Sequence, residues 1–343
     1  MRHRHRIATL WCLNILIFLL FSSCGSPTEH RFQGRTMGTT YLIKVVAKRS
    51  IDMAPVKIQV DQRLEEINQS MSTYRPDSEI NRFNAYRQVD QVFEVSSDFL
   101  RVMLSARQIH QITGGAWDGT VDPLVNLWGF GKRGTIDKAP AAKIVTTALE
   151  KVGFDHIQLL ETGYLVKKRA EITVDLASIA KGYGVDQVAV LLRGLGFKSF
   201  LVEIGGEVYA AGRRPNGTPW RVGINIPRAE AAVDAVYRSV PLENSAMATS
   251  GDYRNFIRIA DKTYSHIIDP RTGYPLQNAV VSVSVIADNC TLADGLATGI
   301  MVMGPQHGIA LLDRLRGVEG MIIARRADGS LQHHLSAGMA EKN

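Results

Sequence analysis

Residues 200–211 read Phe-Leu-Val-Glu-Ile-Gly-Gly-Glu-Val-Tyr-Ala-Ala, which is two short apolar runs on either side of a Gly-Gly pair. This arrangement predicts a β-hairpin, because a tight hairpin turn needs residues that tolerate positive φ. We expect strands at Phe200–Ile204 and Val208–Ala211, joined by a turn at Gly205-Gly206. A hairpin pairs its strands antiparallel, and this sets the expectation for the rest of the sheet.

Similar strand patterns recur along the chain. Ile157–Leu160 and Tyr164–Lys167 are separated by Glu161-Thr162-Gly163, which has the length and composition of a hairpin loop. So many short, hairpin-like strands argue against a doubly wound parallel sheet. The expected fold class is α+β, with mostly antiparallel sheets packed with helices. Further strands are predicted at Thr40–Val46, Ile172–Val174, Arg221–Ile226, Val236–Val240, Phe256–Ile259 and Val280–Ala287.

Apolar residues at helical spacing predict helices between these strands. Leu64, Ile67 and Met71 fall on one face of the first helix, as expected for a helix that packs on a core. Glycines mark the ends of two helices. The predicted helices are Val56–Met71, a helix capped by Ser97 that runs to Gly114-Gly115, Ala141–Lys151 with Gly153 as its stop, a helix beyond Lys181, and one that begins near Ala293.

The first residues predict export from the cytoplasm. Three arginines within the first six residues form a positive segment, and Ile15–Phe21 is a short apolar run that ends in small residues. The run is well short of the roughly 20 apolar residues that a membrane-spanning helix needs. Residues 1–23 are therefore predicted to be a signal peptide.

The segment that follows resembles a lipobox, the site where bacteria attach a lipid to a cysteine. It reads Phe21-Ser22-Ser23-Cys24-Gly25, with Phe21 where the pattern usually has leucine. The resemblance implies a lipid anchor on Cys24, on the periplasmic side of a bacterial membrane; ordinary secretion is the alternative. Residues 24–33 would then be a tether, and residues 34–343 one large domain.

The net charge argues against a nucleic-acid-binding protein, and the cysteine content argues against a domain stabilised by disulfides. The formal net charge of +7 falls to +4 when the three arginines leave with the signal peptide, which is too small for a nucleic-acid-binding surface. Cys12 would also leave and Cys24 would carry lipid, so Cys290 would be the only cysteine in the domain. The domain therefore cannot form an internal disulfide, and a large apolar core must stabilise it.

Asp294 and Thr298 form the first group of residues that could carry chemistry. Their spacing of four places both side chains on one face of a helix, where a carboxylate and a hydroxyl can share a hard cation such as Mg²⁺. The N-terminus of that helix would also face an anion. The alternative is that Asp294 is a first-turn acid favoured by the helix dipole and that Thr298 bonds back to a carbonyl.

A second group follows the predicted strand Ile172–Val174. Asp175, Ser178 and Lys181 would lie in a turn whose oxygens face a metal ion, with Lys181 meeting ligand phosphate or flavin. The alternative is that Asp175 caps the next helix and Lys181 is a surface cation. Spacing alone leaves both interpretations open.

A third group centres on His266, which precedes the turn at Asp269-Pro270-Arg271-Thr272-Gly273. Near neutral pH, a histidine can accept a proton from a hydroxyl nucleophile, although a lone histidine is more often structural. Asp269 could simply order the turn. Trp117 and Tyr74 could stack on a flavin ring or could be packing residues. The sequence contains no glycine-rich phosphate loop, so a nucleotide would be bound in another way.

Taken together, eight motifs in order resemble the ApbE family of flavin transferases, over the stretch from Met37 to beyond Thr298. One such match would be weak, but eight in sequence are strong. The motifs are Met37-Gly38-Thr39, Met71-Ser72-Thr73-Tyr74, Gly115-Ala116-Trp117-Asp118, Asp175 to Tyr183, Ile204-Gly205-Gly206-Glu207, Thr249-Ser250-Gly251-Asp252-Tyr253, His266 to Gly273 and Ala293 to Thr298.

The resemblance implies a role for individual residues. His266 matches the proposed catalytic histidine, and Asp294 and Thr298 match metal ligands. Ser178 falls where the family, often with alanine, offers a backbone carbonyl to the metal ion. Trp117 stands where phenylalanine is common, and Ala297 where some members have an additional aspartate. The positions that match FAD contacts are Met37, Tyr74, Ala116, Trp117, Asp118, Asp175, Lys181 and Ile268.

The resemblance also implies an activity, the Mg²⁺-dependent transfer of FMN from FAD to a threonine or serine of an acceptor flavoprotein. In that reaction Mg²⁺ would neutralise the pyrophosphate, His266 would take the proton of the acceptor hydroxyl, and AMP would leave. Two alternatives stay open at this point. One is an FAD pyrophosphatase, in which water replaces the acceptor hydroxyl. The other is a lipoprotein that binds flavin without chemistry.

Overall fold

The computed structural model describes residues 27–131, 134–160, 163–228, 230–232, 235–251, 256–259 and 261–341. The predicted signal peptide, the predicted lipidation site Cys24, and Asp252 and Tyr253 of one motif lie outside these residues. Within them, every helix is too short or too polar to cross a membrane. Cys290 is buried and unpaired, as expected for a domain without disulfides.

The described strands all pair antiparallel with their neighbours. They are β1 Thr28–Thr36, β2 Thr39–Ala47, β3 Val92–Glu94, β4 Ile157–Leu160, β5 Tyr164–Lys167, β6 Phe200–Ile204, β7 Glu207–Ala211, β8 Trp220–Asn225, β9 Val236–Leu242, β10 Ser245–Gly251, β11 Phe256–Ile259, β12 Lys262–Ser265, β13 Val280–Ala287, β14 Glu319–Arg325 and β15 Leu331–Leu335. Eight of them form the main sheet, in the order β1-β2-β6-β7-β10-β13-β14-β15.

The described helices lie mostly against this sheet or against one another. They are α1 Ala54–Met71, α2 Glu79–Ala85, α3 Ser97–Ile112, α4 Asp122–Leu127, α5 Ala142–Leu149, α6 Ala177–Gly194, α7 Cys290–Leu312 and α8 Ala337–Glu341. The α+β prediction is confirmed, since helices pack on sheets whose named strands all pair antiparallel.

The Gly-Gly hairpin lies in the middle of the main sheet. Gly205 and Gly206 both have positive φ, +59° and +104°, and join β6 to β7 with no other residue between the strands. Positive φ at both central residues is the requirement of the primed turn that the sequence predicts. The turn makes Glu207 the first residue of β7, paired with Ile204.

Apolar residues pack on both faces of the main sheet. On one face, α6 packs against β2 and β6 through residues such as Val188 and Ile43, and α7 packs beside it on β13. The opposite face is covered by the β8–β9 hairpin, with Trp220 and Val240 in the contact. A further apolar cluster joins α3 to α6 and includes Trp117.

The contact between α6 and α7 is unusually close at Gly182. A β-carbon on this glycine would lie 2.4 Å from the carbonyl oxygen of Cys290 and 2.9 Å from the β-carbon of Asp294. One turn further along α6, the carboxylate of Asp186 accepts hydrogen bonds from the backbone N–H groups of Cys290 and Thr291. A glycine and a carboxylate of α6 thus fix the start of α7.

Three details of the sequence prediction are wrong. Ile172–Val174 is not a strand, because the side-chain amide of Asn84 bonds to both the N–H and the carbonyl of Val174. The next helix, α6, begins at Ala177 and not beyond Lys181, since Asp175 accepts a hydrogen bond from the N–H of Ala177. Ser178 and Lys181 therefore lie on the helix and not in a turn.

The two other corrections concern element ends. Ser96, and not Ser97, caps α3 by accepting a hydrogen bond from the N–H of Phe99. The predicted tether is too long, because β1 begins at Thr28 and pairs with β2 along its whole length. Exposed and half-buried residues alternate along β1, so its polarity reflects an edge strand and not a tether.

The close approach of α6 and α7 predicts that Gly182→Ala destabilises the protein. The added methyl group would meet backbone atoms that cannot turn away, so we expect a loss of about 2 kcal/mol in the free energy of unfolding. Urea unfolding measures this change. Gly194→Ala, at the exposed end of the same helix with no atom within 4 Å of the new methyl group, is the control. Equal stability of the two variants would contradict the close packing.

Lys167 is a cation buried without an acidic partner in the described part of the chain. Its side chain is 0% exposed, its Nζ donates to the carbonyl of Tyr86 at 2.9 Å, and the ammonium lies 4.6 Å from the ring centre of Phe83. Burial, followed by the charge of Arg87, lowers the pKa of Lys167 to about 8. The folded state therefore releases this proton at lower pH than the unfolded state does.

The depressed pKa of Lys167 predicts that its contribution to stability rises with pH. The penalty for burying the charge is fully present below about pH 8 and disappears as pH approaches the ordinary lysine value of 10.5. Between pH 7.5 and 10, wild type should gain on the order of 2 kcal/mol of unfolding free energy relative to Lys167→Met. Urea unfolding at both pH values measures the gain, with the half-exposed Lys168→Met as the control. A gain near zero would show that the ammonium is not penalised.

Candidate active site

All twelve residues assigned to the site from the sequence line one of two neighbouring cavities. The first, called the His266 cavity, has a volume of about 460 Å³. The second, called the Tyr74 cavity, has a volume of about 690 Å³ and includes Met37. Both cavities are lined by Asp175 and Lys181. The His266 cavity also contains Ala116, Trp117, Asp118, Ser178, Ile268, Asp294 and Thr298. The structure brings these residues together, and their individual roles stay predictions.

Asp294 lies in the second turn of α7 and is 3% exposed. Its Oδ2 accepts a hydrogen bond of 3.0 Å from the N–H of Gly182. The interpretation of Asp294 as a first-turn acid is therefore wrong, because the first turn of α7 contains no acid. The carboxylate is instead held at the point where the two helices meet.

The N-terminus of α7 does not face an external anion, contrary to expectation. Asn289 accepts a hydrogen bond from the N–H of Leu292, and Asp186 accepts those of Cys290 and Thr291. The negative group that the helix dipole favours is thus a carboxylate of the chain itself.

The hydroxyl of Thr298 makes the bond back to a carbonyl that the alternative interpretation expected, and it also contacts the sheet. Its hydroxyl lies 2.9 Å from the hydroxyl of Ser250, on β10, and 3.4 Å from the carbonyl oxygen of Asp294. The longer contact is the bond back to the helix, whereas the shorter one joins α7 to the sheet. Ser250 belongs to a family motif in the sequence and lines the same cavity, although no role was assigned to it.

Lys181 is not the free surface cation of the alternative interpretation. Its Nζ lies 2.9 Å from Oε1 of Glu207 and 3.9 Å from Oδ1 of Asp294. Burial by itself lowers the pKa of Lys181, but the charges of Asp294 and Glu207 outweigh this effect, so the pKa is raised. The lysine therefore stays protonated between two acids.

Glu207 is a residue that the sequence interpretation did not assign to the site. It is 3% exposed and lines the His266 cavity. Burial, and then the charge of Asp294, raise the pKa of Glu207. An acid directly after a Gly-Gly hairpin turn is held rigidly at a strand end, and this signal could have identified it from the sequence.

Ser178 and Trp117 depart from the family pattern, and the structure joins them. The indole N–H of Trp117 donates a hydrogen bond of 2.9 Å to the hydroxyl of Ser178. Trp117 is 2% exposed and packs against Phe154, which favours the packing role over stacking on a flavin. The N–H of Gly182, which a regular helix would direct to the carbonyl of Ser178, donates to Asp294.

Asp118 and Asp175 use their carboxylates to order the backbone around the cavity. Asp118 accepts hydrogen bonds from the N–H groups of Thr120 and Phe154, and Asp175 accepts one from Ala177. Asp175 is not the N-cap of α6, which is Leu176, but its carboxylate binds the N–H of Ala177, the first residue of the helix. The hydrogen bonds to these two carboxylates therefore fix the backbone around the cavity before a ligand binds.

Met37 and Tyr74 contribute differently to the Tyr74 cavity. Met37 has φ of +49°, in the left-handed region that non-glycine residues seldom occupy, and it forms the turn from β1 to β2 together with Gly38. Such strain is often found at ligand sites. Tyr74 is 86% exposed, so its ring is accessible for stacking on a planar ligand.

His266 directly follows β12, where the chain approaches the predicted turn. The ring of Phe130 lies edge-on to the imidazole, with 6.4 Å between the ring centres. Asp269 orders the turn, since its carboxylate accepts hydrogen bonds from the N–H and the guanidinium of Arg271. Ile268 is buried beside Leu124 and Trp128.

The charge of the His266 cavity fits a cation. Five acidic residues and one lysine line it, and burial raises the pKa of Asp294. The described residues contain no group of three His, Cys, Asp or Glu side chains with metal-ligand placement. Mg²⁺ does not need such a group, because it commonly binds one or two carboxylates together with waters and ligand phosphates. The donors Asp294, Thr298 and Ser178 fit that chemistry.

Comparison with known proteins agrees with this geometry. A family model described as ApbE family matches residues 37–322. An FAD:protein FMN transferase of Vibrio cholerae is 40% identical over 95% of this chain and 97% of its own length. One from Haemophilus influenzae is 40% identical over 88% of each chain.

Solved structures give the same result. The flavin transferase ApbE from Vibrio cholerae superposes with a TM-score of 0.83 at 39% identity, covering 92% of this chain and all of that one. The Pseudomonas stutzeri flavinyl transferase ApbE, in its apo form, gives 0.83 at 34% identity, covering 93% of this chain and 98% of that one. These relatives define a class of protein, the flavin transferases. Within that class, the chain belongs to the ApbE family.

The hydrogen bond between Trp117 and Ser178 predicts that the two residues are energetically coupled. Either Trp117→Phe or Ser178→Ala leaves a polar group without its partner, whereas the double variant removes both groups. We expect a coupling of about 1 kcal/mol in the unfolding free energy. Urea unfolding of the four proteins measures it. As a control, Trp128→Phe should add independently to Ser178→Ala, because the indole of Trp128 bonds to the carbonyl of Gly273.

Proposed function

We propose that the chain transfers FMN from FAD to the hydroxyl of a threonine or serine on an acceptor flavoprotein, with Mg²⁺ as cofactor and AMP as the second product. The observation that carries the proposal is the content of the His266 cavity. An imidazole, a protonated lysine and a buried carboxylate with neighbouring hydroxyls line one space. The activity named for the relatives from Vibrio cholerae and Haemophilus influenzae supports it.

The residues of the chain have distinct tasks in this reaction. His266 accepts the proton of the acceptor hydroxyl at an imidazole nitrogen. The hydroxyl oxygen attacks the FMN phosphorus, and the bond from that phosphorus to the AMP oxygen breaks. Lys181 binds the phosphate by a charge-assisted hydrogen bond. Tyr74 and Met37 bind flavin from the neighbouring cavity, and Ala116, Trp117, Asp118, Asp175 and Ile268 line the remaining contact with FAD.

The metal donors of the proposal are the carboxylate of Asp294, the hydroxyl of Thr298 and the backbone carbonyl of Ser178. When bound there, Mg²⁺ supplies positive charge that offsets the pyrophosphate and the charge that develops on the leaving AMP. The acidity of the cavity supports this assignment, because an anionic dinucleotide would otherwise meet a surplus of carboxylates.

The proposed location is the periplasmic side of a bacterial membrane, with a signal peptide over residues 1–23 and a lipid on Cys24. Because β1 begins at Thr28, three residues separate the proposed anchor Cys24 from the first strand. The four residue-to-residue steps from Cys24 to Thr28 span at most about 14 Å when fully extended. The domain would therefore act close to the membrane surface, where acceptor domains of membrane-bound flavoproteins are accessible.

The transferase activity predicts a covalent mass gain on an acceptor. A periplasmic flavoprotein domain with a candidate threonine should gain the mass of one FMN when incubated with this protein, FAD and Mg²⁺, and should gain nothing when a chelator removes the metal ion. Intact-mass spectrometry measures the gain. With His266→Ala, we expect the rate to fall at least about 100-fold while FAD still binds, because the proton acceptor is lost.

The control for this experiment is His333→Ala, an exposed histidine on β15 that lines neither cavity. An unchanged rate for His266→Ala would remove His266 from the mechanism. Release of FMN and AMP without a mass gain on any tested acceptor would favour the pyrophosphatase. FAD that stays intact under all conditions would favour a binding protein.

A further inference from the structure

Glu207 is a buried acid for which the mechanism above has no task. Its Oε1 accepts a hydrogen bond from Lys181, whereas its Oε2 has no hydrogen-bond partner within the described residues. Burying a carboxyl group with one oxygen unbonded is unfavourable for the folded state, so the presence of Glu207 in the cavity needs a physical reason. The two glycines before it and the first pair of β7 fix its position.

The ammonium of Lys181 lies between two carboxylates but not midway. It is 2.9 Å from Glu207 and 3.9 Å from Asp294, and these are the acids within ion-pair distance of it in the described part of the chain. A lysine side chain is a flexible stem with a point charge at its end. Without the Glu207 carboxylate, the nearest negative charge for this ammonium would be Asp294.

A direct ion pair between Lys181 and Asp294 would interfere with metal binding. Asp294 is the carboxylate of the proposed Mg²⁺ site, and an ammonium in contact with it would occupy the same oxygens and repel the cation. The effect would be strong because both side chains are largely buried, where water screens charges weakly.

We propose that Glu207 is a positioning residue that holds the Lys181 ammonium away from Asp294 and so keeps Asp294 available to a divalent cation. This inference rests on the metal site of the proposed function. It assigns Lys181 two neighbours with different tasks: Glu207 retains the ammonium, and Asp294 binds the cation. The ammonium of Lys181 accordingly lies nearer to Glu207, at 2.9 Å, than to Asp294, at 3.9 Å.

The test is a double-mutant cycle on cation affinity, which does not depend on turnover. Mn²⁺ replaces Mg²⁺ as the probe, and the electron paramagnetic resonance signal of the free ion reports binding to the full-length protein, with and without FAD. We expect Glu207→Gln to weaken Mn²⁺ binding about tenfold, which corresponds to about 1.4 kcal/mol. In the Lys181→Met background, the same substitution should change the affinity less than about threefold, because no ammonium is left to compete.

Two controls make the cycle interpretable. Glu203→Gln removes an acid at the other side of the same turn, which bonds to the N–H of Gly206 and forms no ion pair with Lys181 among the described residues, and it should leave Mn²⁺ binding unchanged. In the absence of FAD, whose phosphate Lys181 is proposed to bind, Lys181→Met alone should bind Mn²⁺ at least as tightly as wild type. That expectation holds even if Glu207→Gln fails to fold, which thermal unfolding would reveal.

Three outcomes would overturn the inference. Equal weakening by Glu207→Gln in both backgrounds would make Glu207 a direct ligand or an independent charge. Unchanged affinity in Glu207→Gln, or weaker binding in Lys181→Met when FAD is absent, would show that the lysine does not compete for Asp294. Wild type that binds no Mn²⁺ under either condition would instead remove the metal site itself, and this result distinguishes failure of the proposed function from failure of the role of Glu207.

Discussion

The contact between α6 and α7 at Gly182 is the constraint on which the site depends. The missing side chain lets the backbone of α7 approach closely, and the N–H of Gly182 then bonds to the Asp294 carboxylate. Asp186 fixes the first turn of α7 from the same helix. One face of α6 thus determines both where α7 begins and where its buried acid lies, so the donors are placed before any ligand arrives.

The sheet brings the remaining groups to the same place through two turns. The β1–β2 turn carries Met37, and the β6–β7 turn precedes Glu207. Because β2 and β6 are antiparallel neighbours, with Tyr41 opposite Ile204, both turns lie at one end of the sheet. A β-carbon on Gly205 would approach Thr39 to 2.8 Å and the Lys181 side chain to 3.3 Å. Residues that are proposed to contact the ligand, and that are far apart in sequence, therefore meet where two tight turns face α6.

The parts of the fold that the sequence predicted well depend on local patterns. The Gly-Gly hairpin needs positive φ at two adjacent residues, and the paired strands follow from it. The strand predicted at Ile172–Val174 is absent because of a distant residue: the side-chain amide of Asn84 takes both backbone hydrogen bonds of Val174. The extent of β1 was missed for a related reason, since an edge strand with polar, exposed residues lacks the apolar signal of a central one.

Within the site, the sequence predicted which residues meet but not how they share charge. Asp294, Thr298, Ser178 and Lys181 came from motif resemblance and spacing, and the cavity contains all four. The ion pair between Lys181 and Glu207 joins residues on a helix and a strand that no short-range pattern connects. That pair affects the charge of the site, because Lys181 is the one lysine beside five acidic residues in the lining of the His266 cavity. This acidic cavity is proposed to bind an anionic dinucleotide. A divalent cation and FAD would each offset the charge that opposes the other, and by linkage each would then raise the affinity of the site for the other by the same factor. The surplus of buried carboxylates, which is unfavourable for the protein alone, is what would make the site depend on both ligands together.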